Sequence, residues 1–157
     1  MPIRSALVFM ALAMSAAAIA APSPLQLTSR VTKDSRVAAK DGTVRILEVP
    51  ARGAAPGDRL TVTLAYRNTG AVPLADLQLA NPVPAGLAYR GPAAGAPEPE
   101  VSADGRRFAP LGRLVIASPA GGTRAATADD VTQVRWRLDR PVAPGTGGSL
   151  GFRAVVK

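Results

Sequence analysis

The chain has 157 residues, one domain by length, with 15 glycines, 15 prolines and a formal net charge of +8. It contains no cysteine and no histidine. That excludes disulfides, thiol nucleophiles, Cys- or His-ligated metal and an imidazole base. Carboxylate catalysis and oxygen-ligated Ca²⁺ remain open on composition alone.

The first stretch, MPIRSALVFMALAMSAAAIAAPSP, has the plan of a secretory signal. Arg4 supplies the positive start, Ala6 to Met14 the apolar run, and Ala18-Ile19-Ala20 an A-x-A site, which places cleavage after Ala20. The run falls short of the roughly 20 apolar residues that a membrane-spanning helix needs. No cysteine follows for lipid attachment, and no second long apolar run follows either. The expected organisation is a signal peptide over residues 1–20, a leader or first edge strand over 21–42, and one folded domain over 43–157. The expected location is the periplasm or the cell exterior, with no transmembrane anchor in the mature chain. Loss of Arg4 with the leader lowers the charge by one, to +7. A charge of this size favours weak attraction to anionic surfaces and says nothing of the fold.

Beyond residue 24 the dominant signal is alternation with period two, the mark of strands with one face buried. Leu25 to Val31 reads as a weak first strand and Lys33 to Gly42 as a polar loop. TVRILEV, Thr43 to Val49, carries apolar residues on both faces and so is either sandwiched or near an edge. RLTVTLAYRN is the cleanest strand, with Leu60, Val62, Leu64 and Tyr66 on one side and Thr61, Thr63, Ala65 and Arg67 on the other. LADLQLANP turns Leu77 and Leu79 inward and stops at Pro82 and Pro84, which have no N–H for a ladder.

GLAYR, a short run at Val101 and RLVIAS follow, separated by Pro/Gly-rich loops, and SPAGGTRAATADD reads as a further loop. VTQVRWRL turns Val134, Trp136 and Leu138 inward. SLGFRAVVK closes the series with Leu150, Phe152, Ala154 and Val156 inward. Seven to nine short strands with turn chemistry between them, and no helical period, predict an all-β fold: an antiparallel β-sandwich of immunoglobulin type. About 115 residues are enough to hold such a core without disulfides.

PGDRLTVTLAYRNTG followed by VPLADLQLANPVPAGLAY resembles the bacterial DUF11 repeat, a cell-envelope domain of unknown function. Pro56-Gly57-Asp58, Asn68-Thr69-Gly70 and Pro84-Ala85-Gly86-Leu87 fill the family's turn positions. VRWRLDRPVAPG and LGFRAVV are similar to its tryptophan strand and last strand. Asn81 and Val83 depart from the usual residues at the corner. The resemblance implies an extracytoplasmic domain of a structural or adhesive kind. On turn chemistry, Gly70 and Gly86 are expected at positive φ.

Three features bear on chemistry. Arg135 and Arg137 point outward from one strand, and Arg153 and Lys157 outward from the next. If those two strands pair, four cations share a sheet surface that suits lipopolysaccharide phosphates, anionic lipid or an acidic protein. Otherwise they are a solvated, edge-protecting face. Nucleic acid is not expected, because no aromatic residues lie among the cations. The loop carboxylates Glu98, Glu100, Asp104, Asp129 and Asp130 lack the D-x-D-x-D-G spacing of a Ca²⁺ loop. Ser102, Ser118 and Ser149 lack both a G-x-S-x-G setting and a lysine at S-x-x-K spacing. The expectation is a non-catalytic module with no metal and no cofactor, acting as a structural or interaction element of the envelope. A periplasmic chaperone-like or carbohydrate-binding accessory domain is the alternative. The sequence leaves the oligomeric state open.

Overall fold

The computed structural model describes residues 23–38 and 41–157. The expected signal peptide, and its cleavage site after Ala20, lie outside the described residues. The ten strands are β1 (Leu25–Ala38), β2 (Val44–Pro50), β3 (Arg59–Asn68), β4 (Gln78–Pro82), β5 (Leu87–Pro92), β6 (Glu100–Ser102), β7 (Val115–Ala117), β8 (Thr123–Ala125), β9 (Gln133–Arg137) and β10 (Gly147–Val156). Two single 3₁₀ turns, Leu111–Arg113 and Ala128–Asp130, are the only helical segments among the described residues. No helix among them is long and apolar enough to cross a membrane.

The strands form an antiparallel five-stranded sheet in the order β2-β1-β3-β10-β5, a three-stranded sheet in the order β4-β9-β6, and a β7–β8 hairpin. The two larger sheets enclose one core, so the fold is an all-β sandwich. Val62, Leu64, Tyr89, Leu150, Phe152 and Ala154 supply one side of that core. Leu79, Val101, Val134 and Trp136 supply the other. The alternation read from β3, β9 and β10 therefore points the expected residues inward. Trp136 also satisfies its indole N–H, which donates to the carbonyl of Pro97 at 3.1 Å.

Four expectations need correction. The polar run after Lys33 is not a loop, because β1 continues through it to Ala38. β1 pairs with β3 over Leu25–Lys33 and with β2 over Thr32–Ala38, so the ladder with β2 carries the strand on through a stretch that has no apolar periodicity of its own. Lys33 reaches Asp58 at 3.6 Å, and Thr32 donates to the Glu48 carboxylate at 3.1 Å. Within this stretch β1 has β3 alone beside it up to Val31 and β2 alone beyond Lys33, and in the strand order of the sheet β2 stands at the end. The expected loop after Ser118 contains β8, which pairs with β7 and brings the strand count to ten rather than seven to nine.

The fourth correction concerns glycine. Neither Gly70 nor Gly86 is among the positive-φ residues. Gly70 is required for a different reason: a Cβ there would stand 2.7 Å from that of Pro24, where the chain enters β1. The left-handed turn glycine of this region is Gly57, at φ +88°.

Candidate functional site

The cations singled out in the sequence do not share a surface. β9 pairs with β4 and β6, whereas β10 pairs with β3 and β5. The connection between β9 and β10 crosses the sandwich, so their outward residues look away from opposite sides of the core. The pairing on which a four-cation face depended is absent.

Each cation has its own setting. Arg135 places Nε 3.1 Å and Nη2 2.6 Å from Oε2 of Glu100, across the β6–β9 ladder, and its guanidinium lies 4.1 Å over the ring of Phe108. Such a charge-assisted pair stacked on an aromatic ring is a locked surface element. Arg137 approaches the same Glu100 oxygen at 3.7 Å and is otherwise exposed. Arg153 donates from Nε to the carbonyl of Pro92 at 3.1 Å, on the far side of the molecule. Lys157 is exposed, and its backbone N–H donates to Gly86 at 2.9 Å.

The carboxylates are also engaged in local structure. Asp104 accepts from the N–H groups of Arg106 at 2.8 Å and Arg107 at 2.9 Å. These bonds, with the Ser102 hydroxyl, lower its pKa to about 2. Asp130 pairs in fork fashion with Arg124 at 2.6 and 2.8 Å and accepts from the Thr127 N–H at 2.7 Å. The Arg124 bond, followed by those from Thr127, holds its carboxyl far below the usual range. Asp129 meets Arg90 at 2.7 Å. Among the described residues no three acidic side chains converge on a common point. Ser102 is buried and donates to Asp104 at 3.0 Å, a turn-closing bond.

Two features escaped the sequence reading. The first is a trough on the outer face of the five-stranded sheet, where Asp34, Thr61 and Arg153 form the middle. Arg59 and Arg90 line one end, and the Ala93–Ala96 loop walls the other. Register explains the grouping: Thr61 stands opposite Arg153 on one side and Thr32 on the other, so side chains distant in sequence share one row.

The second is β2. It ends the sheet, its other side pairs with no strand among the described residues, and it exposes Val44 (64%), Ile46 (64%) and Leu47 (49%). The three-stranded sheet does not reach this far. Leu27, Val31 and Val37 of β1 are therefore also exposed on the face that, over β3 and β10, makes the core. The apolar residues on both faces of TVRILEV signalled this strand's ambiguity; only the sheet order resolves it as an edge.

No family model, curated protein or solved structure matches the chain.

Proposed function

We propose that this protein is an exported, non-catalytic interaction module of the cell envelope, akin to a DUF11-type domain, and that it works through the β2 edge. The observation that carries this reading is a seven-residue edge strand whose outward backbone pairs with no strand among the described residues and whose two faces both carry apolar side chains. Soluble sandwiches ordinarily blunt such an edge, because it accepts another chain's strand. An added strand gains main-chain hydrogen bonds for affinity and side-chain contacts for selectivity.

The turn residues behind the family resemblance support a scaffold role. Asn68 is fully buried and donates from its amide to Val72 and Val142, each at 2.8 Å, while its Oδ1 accepts from the Gly70 N–H at 2.9 Å. Asp58 closes its turn by accepting from Ala55 at 3.0 Å. Side chains spent in this way shape the sandwich and leave the exposed edge as its working surface. Export rests on the signal-like leader.

Fractionation of native cells with a salt series tests the proposal, with Ile46→Lys and Arg153→Ala compared to wild type. The expected result is retention with the envelope that resists salt and is lost in Ile46→Lys. Release of wild type at low salt would overturn the envelope role. Retention that falls as salt rises, and that Arg153→Ala weakens, selects the second reading. In that case the Asp34–Thr61–Arg153 trough takes an anionic or sugar-bearing client, a fit its carboxylate, guanidinium and hydroxyl support.

A further inference from the structure

We infer that the partner of the β2 edge is a second copy of this chain, added antiparallel, β2 to β2, about a twofold axis at Leu47. This rests on the reading of β2 as the interaction edge and names its occupant.

The sandwich's edges are not equivalent. β6 has three residues, and Val101 is already bridged on its far side by Ala109. β4 has only five residues and ends at Pro82, which cannot donate; β2 also ends at a proline, Pro50, but is two residues longer. β5 ends at Pro92, and its register with β10 breaks between Phe152 and Ala154. A short strand, a proline and an irregular ladder are the usual ways to refuse a neighbour. β2 keeps an unbroken register with β1 over seven pairs, from Val44 to Pro50. The bond from the Ala51 N–H to Val31 at 3.1 Å sets the phase of that ladder. Odd-numbered residues of β2 turn their backbone toward β1, and Val44, Ile46, Glu48 and Pro50 turn theirs outward, so the edge lacks one donor, at its Pro50 end.

A partner for this edge must be an extended strand with outward-facing backbone and apolar side chains on both faces. β2 itself is such a strand, with Val44 and Ile46 on one face and Leu47 and Val49 on the other. Charge then selects the register. A twofold normal to the sheet pairs residues of the same face. Axes at Arg45 or Glu48 would set like charges directly opposite, which is unfavourable. An axis at Ile46 aligns only residues 44–48. An axis at Leu47 aligns all seven: Val44 with Pro50, Arg45 with Val49, Ile46 with Glu48, and Leu47 with its own counterpart. The outward backbones of Ile46 and Glu48 then bond each other, and the two Leu47 residues form a closely spaced pair without backbone bonds. The product is a single ten-stranded antiparallel sheet.

The absence of cysteine from the chain makes a clean test. Leu47→Cys and Val72→Cys are purified in their exported form and oxidised; Val72 is a control as exposed as Ile46, at 64%. Closely paired strands fall within disulfide reach. Leu47→Cys is therefore expected to link at least about tenfold faster than Val72→Cys. Sedimentation of wild type is expected to show dimers that Ile46→Lys converts to monomers, and the two denaturation midpoints are expected to coincide once both are diluted below the dimer range. Wild type that stays monomeric at about 100 µM, with equal linking rates, would sink the proposal, since that concentration drives even a weak association. Faster linking of Ile46→Cys than of Leu47→Cys would overturn the Leu47 axis. If wild type is monomeric and Ile46→Lys still loses envelope retention, the second copy is wrong and the edge reading stands. If dimers form and Ile46→Lys leaves retention unchanged, self-association stands and the envelope role falls.

Discussion

The two halves of the five-stranded sheet are built from similar residues and meet different fates. Over β3, β10 and β5 the inner face lies beneath the three-stranded sheet, and Val62, Leu64, Phe152 and Ala154 are buried. Over β2 and β1 beyond Leu25, no strand among the described residues covers the same face, and Leu27, Val31, Val37 and Leu47 are exposed. Strand pairing alone does not bury a side chain; a second layer does. The covered half therefore holds the stability, and the overhanging half holds the capacity to bind.

The sharpest way to break this contrast is to truncate matched apolar residues in each half. Phe152→Ala removes a fully buried ring and is expected to cost about 3–5 kcal/mol in urea unfolding, whereas Ile46→Ala is expected to cost under about 0.5 kcal/mol. Equal losses would mean the overhang is part of the core. Asn68→Ala comes next. It orphans the Val72 carbonyl and the Gly70 N–H and leaves the Val142 carbonyl with the Leu74 N–H alone, with an expected loss of roughly 1–3 kcal/mol in the same assay.

Smaller effects refine the picture. Glu100→Gln loosens the Arg135 fork and is expected to cost about 1 kcal/mol at low salt and less at high salt, because both side chains are partly exposed. Tyr89→Phe has the opposite sign. The Tyr89 hydroxyl is buried with no partner, and burial, with Glu98 adding, pushes its pKa up to about 12. Its removal is expected to leave stability unchanged or raise it by up to about 1 kcal/mol.

The last prediction is a pH profile. The folded pKa of Asp104, about 2, lies below its ordinary value of 3.8. Its contribution is present above the ordinary value and is lost as pH falls toward 2. Asp104→Asn is expected to flatten the decline of Tm across that interval, as followed by thermal melts. An unchanged slope would assign the acid sensitivity to other groups, with Asp130 the first to examine.

Much of the fold was legible along the chain. In β3, β9 and β10 the period-two pattern names the buried residues because each strand lies under a covering sheet, and pattern and burial coincide. It fails at β1 beyond Lys33, where the ladder with β2 holds a polar strand that carries no such pattern. It fails also for the cations. Arg135, Arg137 and Arg153 are outward as read, yet successive strands need not be neighbours in a sheet, and β9 and β10 are not. The trough was invisible because its members, from Asp34 to Arg153, meet only through register.

By itself the sequence determined the class of the protein. Alternation, turn residues and the absence of helical period admit an antiparallel β fold, and the lack of cysteine and histidine removes whole chemistries. Those are local properties, set by each residue and its near neighbours. Tertiary structure alone decided which strands share a sheet, that β9 and β10 lie in different layers, and that β2 is left as an open apolar edge. Strand order depends on contacts between distant segments, and no local pattern encodes which of two apolar strands will be covered.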